Sequence, residues 1–352
     1  MASSPSGSTA LATKIHAMYG KRLTRAHYLE LIHKQSVPEI AAYLKQQTFY
    51  ADLLHDVNES SVHRGQLESV LRQAIYQDYM RMLGYINPNE RKFYRYFFVR
   101  MEIDELLRFL LYLNTDRESE YLFTLPDYFA KHTQVDLYSL PKIQNFEELL
   151  RLLEGTPYAD VIRPFDPADG EIDTTLIASA FERYYYNYLN RAINSNFAGE
   201  AKDKLRRAVG VQMDLQNITQ IIRLKRYFNV SPEDIRKILL PRAVRISQDS
   251  LDKMINAPDA DGALGALSGT RYAEFFTPGS FEYVEEAANV AVFQYNEKLL
   301  ATSTSSAVAM MAYLNLKSLE LQNIITIIES VRYGLHPAET EKLLVGMKAV
   351  TK

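Results

Sequence analysis

One segment of the sequence occurs three times, and this internal repeat constrains the fold more than any other feature. The fourteen residues from Asp214 to Tyr227 recur as Glu320 to Tyr333, with eight of fourteen positions identical and no gap, and a weaker copy starts at Glu102. In all three copies the apolar residues keep the spacing i, i+3, i+6, i+7, which is one face of an α-helix. These residues are Ile103, Leu106, Phe109 and Leu110; Leu215, Ile218, Ile221 and Ile222; and Leu321, Ile324, Ile327 and Ile328. Equivalent helices are therefore predicted at about 102–113, 214–227 and 320–333.

A second motif, Thr-x-Tyr-Ala-Asp/Glu, recurs in step with the first. Its copies begin at Thr48, Thr156 and Thr270, 108 and 114 residues apart, while the helix copies are separated by 112 and 106 residues. Two motifs that recur in the same order at one period predict a triplicated helical unit of about 110 residues. We expect a disordered N-terminal tail over 1–11, because it is rich in Ser, Gly and Pro, and repeat units at 12–118, 119–228 and 229–352.

Helix signals outside the repeat also predict an all-α fold. Ser36, Asn145 and Ser231 each precede a segment with acidic residues in its first turn, as a helix N-terminus prefers. The low content of 14 Gly and 13 Pro argues against a turn-rich β fold. The sequence contains no alternating strand of useful length.

Composition excludes several classes of function. The chain has no cysteine, which removes thiol nucleophiles, disulfides and Cys-ligated metals. Forty basic and 43 acidic side chains give a net charge of −3, so general nucleic-acid binding and electrostatic capture by a membrane are not expected. No run of about 18 apolar residues predicts a transmembrane helix, and the first residues lack the pattern of a signal peptide.

No catalytic, cofactor-binding or metal-binding motif emerges from the sequence. The seven histidines do not form a His-Glu-x-x-His or similar metal spacing. Nucleotide-binding loops of the Walker or Gly-x-Gly-x-x-Gly type are absent. The glycine-rich segment 262–269 lacks an adjoining strand and a lysine, so it is interpreted as a helix contact or a loop. The acidic segment 166–173 has the wrong ligand register for a calcium loop and is interpreted as a solvated linker.

The residues repeated with the fold are predicted to be structural. They are Thr48, Tyr50, Thr156, Tyr158, Thr270, Tyr272, Asn217, Asn323, Arg226 and Arg332. Each arginine follows the apolar face by one turn and is suited to a helix C-terminus, with contact to a partner as the alternative. Aromatic residues concentrate at 93–98 and 184–188, where cover for apolar surface is favoured over stacking on nucleic-acid bases.

The combination of motifs, their order and their period resembles one family. The motif Glu320-Leu-Gln-Asn-Ile324 followed by Arg332-Tyr333-Gly334, its inner copy at 214–227, and Ala42-Tyr43-Leu44 before Thr48 are similar to the C subunit of the prokaryotic A/V-type ATPase, a relative of the d subunit of the vacuolar enzyme. The resemblance extends from about Leu11 to Val345. The first copy departs from the pattern, because Asp104 and Glu105 replace Gln and Asn.

This resemblance implies a non-catalytic rotor subunit without a cofactor. Its three helical units would surround a pseudo-threefold axis in a funnel-like arrangement. It would be a peripheral member of a hetero-oligomeric complex at the cytoplasmic face of the membrane, between the central-stalk axle and the membrane c-ring, and would transmit torque for ion transport or ATP synthesis. No interface residues are assigned, since no short motif carries them.

Two other classes of protein stay open on sequence grounds. A free-standing helical-repeat adaptor without an ATPase partner would show the same periodicity, and so would a helical enzyme of unrecognised type. Co-purification with c-ring and axle subunits distinguishes the rotor subunit from the adaptor. An enzyme would need a pocket with converging polar groups and measurable turnover.

Overall fold

The computed structural model describes residues 5–86, 90–114, 129, 131–167, 170–228, 230–241, 245–277, 279, 281 and 283–347. Within these residues the regular secondary structure is entirely helical, which confirms the predicted all-α class. The α-helices are α1 (Pro5–Tyr19), α2 (Arg25–Ile32), α3 (Val37–Gln47), α4 (Arg64–Leu83), α5 (Arg91–Tyr94), α6 (Tyr96–Leu113), α7 (Phe146–Leu153), α8 (Pro157–Ile162), α9 (Thr174–Asn196), α10 (Gly199–Arg223), α11 (Pro232–Ile238), α12 (Gln248–Asn256), α13 (Ala260–Gly265), α14 (Val284–Thr302), α15 (Ser306–Tyr333) and α16 (Pro337–Leu343).

Short segments of tighter or wider helix join some of these elements. Residues Leu137–Lys142 and Arg163–Phe165 form 3₁₀ helix. At the end of α10 the chain continues as one turn of π-helix over Leu224–Phe228. The repeated segment 214–227 is therefore helical throughout, but its last turn is wider than an α-helix.

The chain folds as two compact units. The first unit combines the two ends of the sequence, residues 1–87 and 274–352, and the second comprises residues 88–273. In the first unit α15 is the central helix, and α1, α3, α4 and α14 pack against it. In the second unit α9 lies against α6, α8 and α10, and α13 packs on α10.

Each predicted helix copy lies on a long helix whose apolar face is buried. The copies fall on α6 and α10 in the second unit and on α15 in the first. All twelve apolar residues identified from the spacing are buried, with at most 6% of any of them exposed. The helical period therefore identified the residues that form the core of each unit. The division into three repeats at 12–118, 119–228 and 229–352 stays a prediction.

The helix starts read from the sequence are present. Ser36 Oγ accepts a hydrogen bond from the Glu39 amide at 3.3 Å, and Asn145 Oδ1 accepts one from the Glu148 amide at 2.9 Å. Ser231 caps α11 in the same way. These side chains satisfy N–H groups that have no partner in the first turn of a helix.

The first helix begins earlier than the sequence predicts. The expected tail covered residues 1–11, whereas α1 begins at Pro5, and residues 1–4 lie outside the described part. Proline is well tolerated in the first turn of a helix. Further along α1, Leu11 and Ile15 are buried, and the helix packs on α15. The burial of Leu11 and Ile15 therefore stabilises α1, although the first turns of this helix are polar in sequence.

The aromatic segments are part of the core of the second unit. Phe93, Tyr94, Phe97 and Phe98 in α5 and α6 are at most 4% exposed. In α9 the side chains of Tyr185 and Tyr186 are also buried. Rings in these positions stabilise the unit by packing and are not presented to solvent for stacking on bases.

Candidate functional site

The threonine of each Thr-x-Tyr motif shapes the backbone that follows the preceding helix. The Thr48 hydroxyl donates to the Leu44 carbonyl at 2.5 Å and accepts from the Tyr50 amide at 3.2 Å. Thr270 makes the same two contacts, with the Leu267 carbonyl at 2.7 Å and the Tyr272 amide at 3.2 Å. A threonine in this position satisfies a carbonyl at the end of a helix or turn and fixes the direction of the tyrosine.

In the second copy of the motif a proline, Pro157, follows the threonine. The Thr156 hydroxyl donates to the Leu153 carbonyl at 2.7 Å. Pro157 then opens helix α8, where its fixed φ suits the first helical position. Tyr158 is buried in the core, as the other two tyrosines are.

All three tyrosines donate a hydrogen bond to the acid that begins a helix copy. Tyr50 Oη lies 2.8 Å from Glu320 Oε1 in the first unit, and Tyr272 Oη lies 2.8 Å from Asp214 Oδ2 in the second. The third pair, also in the second unit, joins the Tyr158 hydroxyl to the Glu102 carboxylate. Tyr50, Tyr272 and Tyr158 are 4%, 4% and 0% exposed, so each pair is made inside the core.

The same carboxylates also accept hydrogen bonds from the backbone of a further segment. Glu320 accepts from the Leu23 amide at 2.7 Å. Asp214 accepts from the amides of Arg245 at 2.7 Å and Ile246 at 3.1 Å, and Glu102 accepts from the amide of Gln134. One buried carboxylate therefore connects three pieces of chain: the long helix, the Thr-x-Tyr segment and a loop. We call each such set a tyrosine–carboxylate hub.

Burial shifts the pKa values of three hub side chains, Glu102, Tyr50 and Tyr158. Desolvation raises the pKa of the Glu102 carboxyl, although hydrogen bonds from Tyr158 and Gln134 act in the opposite direction. Burial, reinforced by the neighbouring carboxylate of Glu320, raises the pKa of the Tyr50 hydroxyl well above its ordinary value. The same two causes raise the pKa of Tyr158 beside Glu102. Tyr50 and Tyr158 thus stay protonated and act as donors.

Two of the hubs carry an additional asparagine contact one turn further along the helix. Asn217 donates to the Leu240 carbonyl at 3.2 Å and accepts from the Leu240 amide at 2.9 Å. Asn323 makes the same pair of bonds with Val345, at 2.9 and 3.0 Å. In the first copy the corresponding residue is Glu105, which forms an ion pair with Arg108 at 2.5 Å. The first copy, which has Glu105 where the others have asparagine, therefore forms an ion pair where the others bind a backbone amide and carbonyl.

The repeated arginines do not join the hubs. Arg226 lies in the π-helical turn after α10, and Arg332 lies in the last turn of α15, where both are exposed. The Arg332 guanidinium is 5.4 Å from the centre of the Tyr333 ring. Helix α15 ends at Gly334, whose φ of 66° is left-handed and favours glycine. A basic residue beside this helix end is favourable for the dipole.

The acids of the hubs, Glu102, Asp214 and Glu320, begin the helix copies but are not among the residues that the sequence predicts to be structural. Their signal was present, because an acid begins every helix copy and a Thr-x-Tyr motif accompanies it at the same period. A buried acid needs a hydrogen-bond donor, and a tyrosine that recurs at the same period is a natural candidate.

Among the described residues no group of three or more His, Cys, Asp or Glu is arranged to hold a metal ion. In the same part of the chain, no helix is both long and apolar enough to cross a membrane.

A profile of the ATP synthase (C/AC39) subunit family matches residues 11–343. The chain belongs to this family. The match includes all three hubs, since it begins before Leu23 and ends after Glu320. The family resemblance inferred from the repeated motifs is thus confirmed.

Several similar proteins are named as the C subunit of an A-type ATP synthase. The protein of Methanocaldococcus jannaschii is 23% identical over 349 residues, covering 95% of this chain and 85% of that protein. The protein of Thermococcus kodakarensis is 24% identical over 345 residues, covering 95% and 88%. The protein of Pyrococcus abyssi is 28% identical over 213 residues, or 58% of this chain, and here the chain spans only 56% of the relative's length.

Removal of a single hub hydroxyl should destabilise the protein. In Tyr50→Phe, Tyr158→Phe and Tyr272→Phe the buried carboxylate loses a donor, which should lower the free energy of unfolding by about 1–3 kcal/mol in each case. Chemical denaturation monitored by circular dichroism measures this change. The control is Tyr227→Phe, since Tyr227 is 56% exposed. Equal, near-zero effects for the hub variants and the control would contradict the structural role.

The raised pKa of Glu102 predicts a pH dependence of stability. The folded protein binds this proton more tightly than the unfolded chain, so protonation favours the folded state as the pH falls. Relative to Glu102→Gln, which retains an acceptor oxygen, the wild type should gain stability as the pH falls from 7 towards the ordinary glutamate pKa of about 4.3. Denaturation of both proteins across this range measures the difference. A wild type that instead loses stability relative to Glu102→Gln would contradict the assignment.

Proposed function

We propose that this protein is a non-catalytic rotor subunit of a rotary A/V-type ATPase, which links the central-stalk axle to the membrane c-ring and transmits torque between them. The observation that carries the proposal is the match to the ATP synthase (C/AC39) subunit family over residues 11–343, together with similarity along nearly the whole chain to proteins named as the C subunit of A-type ATP synthase. The repeated motifs support the same assignment, because the family resemblance rests on them.

The hubs favour a structural role over a catalytic one. A catalytic carboxylate needs to reach a substrate, whereas Glu102, Asp214 and Glu320 are at most 6% exposed and bind to tyrosine hydroxyls and backbone amides of the chain itself. Hydrogen-bond networks satisfied in this way make a core rigid. A rigid body is what a subunit that transmits torque requires, since a soft connector would dissipate displacement between its two contact faces.

In this proposal three similar helical units surround a pseudo-threefold axis, and each hub joins the tyrosine of one predicted unit to the acid of another. The protein acts at the cytoplasmic face of the membrane as a peripheral member of the hetero-oligomeric complex. It needs no cofactor of its own, because ATP hydrolysis and ion translocation take place in other subunits. Membership of the ATP synthase subunit family favours this function over a free-standing adaptor.

The proposal predicts a separation of ATP hydrolysis from ion transport. In membrane vesicles whose ATPase lacks only this subunit, the peripheral sector should continue to hydrolyse ATP, while ion uptake falls to background because torque no longer reaches the ring. Both activities are measured side by side in the same vesicles. Addition of the purified full-length chain is the control and should restore uptake.

Two results would contradict the rotor role. Fully coupled ion uptake in vesicles that lack the subunit would show that torque bypasses it. Hydrolysis of ATP by the isolated chain above background would show a catalytic activity that the proposal excludes. A protein that co-purifies with neither axle nor c-ring subunits would favour the adaptor.

A further inference from the structure

The first compact unit contains a cavity of about 500 Å³ whose lining has more basic than acidic side chains. The lining residues come from both ends of the chain and include Tyr50 and Glu320 of the hub. Six basic side chains line it: Lys14, Lys21, Arg22, Arg25, Arg81 and Lys317. Four acids share the lining: Asp52, Asp78, Glu297 and Glu320. Concave sites of this size commonly bind small ligands.

Three of the four acids are already bound by donors of the protein. Asp78 accepts from the Tyr313 hydroxyl at 2.5 Å and also lies 3.5 Å from Arg81. Glu297 accepts from the Tyr19 hydroxyl at 2.9 Å. Glu320 forms an ion pair with Lys317 at 2.7 Å, besides its bond with Tyr50. Basic side chains of the lining therefore offset the charge of Asp78 and Glu320, whereas the Tyr19 hydroxyl that binds Glu297 is neutral, and Asp52 is exposed.

Three of the basic side chains are not paired with an acid in the described part of the chain. Within the described residues, Lys14, Lys21 and Arg22 have no carboxylate oxygen within the 4.0 Å of an ion pair. Lys21 instead lies 5.2 Å from the centre of the Phe49 ring, and Arg22 lies 4.2 Å from that of Tyr19. A concave surface with uncompensated cations attracts anions, because its walls concentrate the electrostatic field.

Lys317 distinguishes this hub from the other two. It stands three residues before the hub acid Glu320, where the other helix copies have Val99 and Val211, both buried. The lysine side chain is only 14% exposed, so it is held there despite the cost of removing an ammonium from water. Its ammonium has three N–H groups. Two of them are directed to Tyr50 Oη at 2.9 Å and Glu320 Oε1 at 2.7 Å, which leaves one available to the cavity.

We propose that this cavity is a binding site for a small phosphate-type oxyanion. Lys317 donates to an oxygen of the anion, and Lys14, Lys21 and Arg22 supply the surrounding positive charge. Phosphate groups are the anions that clusters of lysine and arginine recognise best, through several charge-assisted hydrogen bonds. This site is separate from the proposed rotor function and does not depend on it. The phosphate can belong to a free inorganic anion or to the headgroup of an anionic lipid.

Calorimetric titration of the full-length chain with inorganic pyrophosphate tests the proposal. At low ionic strength we expect saturable binding of one anion per chain, with affinity that falls as salt is added. The double variant Lys21→Glu/Arg22→Glu should bind at least about tenfold more weakly, since it reverses two exposed charges. The control is Lys342→Glu, a single exposed charge reversal in the same unit outside the cavity, and it should bind as the wild type does.

A second variant tests the lysine that is particular to this hub. Lys317→Met keeps the length of the side chain and removes its charge, and it should reduce pyrophosphate affinity at least about tenfold. Circular dichroism establishes whether the variant folds, because Glu320 loses its ion-pair partner. If it does not fold, the double variant at the exposed positions decides the question.

Co-sedimentation with vesicles distinguishes the two sources of phosphate. Retention on phosphatidic acid vesicles but not on phosphatidylcholine vesicles, abolished by Lys21→Glu/Arg22→Glu, would assign the site to a lipid headgroup. Pyrophosphate binding without such retention would assign it to a free anion. The proposal is overturned if pyrophosphate does not bind and vesicles do not retain the protein, or if Lys342→Glu weakens binding as much as the double variant does.

Discussion

A buried carboxylate is the group on which the rest of this structure depends. Each long helix that carries a repeat copy brings Glu102, Asp214 or Glu320 into the core, where an acid without donors would be costly. The chain supplies a tyrosine hydroxyl from the Thr-x-Tyr segment and at least one backbone amide from a loop. The position of the carboxylate therefore fixes two further segments, and the same solution appears three times.

These hubs use the buried polar groups of the chain to hold its segments together. The polar groups of a hub are directed at one another, so they hold the helices in place and do not face a substrate. The proposed rotor role would use such a core, because a rigid body transmits displacement between its contact faces. The cavity beside Glu320 is the exception, since Lys317 stands where the other copies have a valine and places a partly buried cation next to the hub.

Much of the fold follows from the sequence, because the repeat and the helical period are local signals. The spacing identified the apolar faces of α6, α10 and α15, and the caps at Ser36, Asn145 and Ser231 identified helix starts. Which motif copies pair was not predictable, since periodicity carries no information on contacts between distant segments. Tyr50 binds Glu320 from the opposite end of the chain, 270 residues away. The early start of α1 was missed because it depends on burial of Leu11 and Ile15.

The most direct test of the account is a single-particle reconstruction of the complex purified through a tag on this chain. The account predicts that the chain lies between the axle and the c-ring. It also predicts three superposable helical units, with Tyr50, Tyr158 and Tyr272 bound internally to their acids. A reconstruction in which these tyrosines face another subunit, or in which the chain touches neither the axle nor the ring, would contradict it.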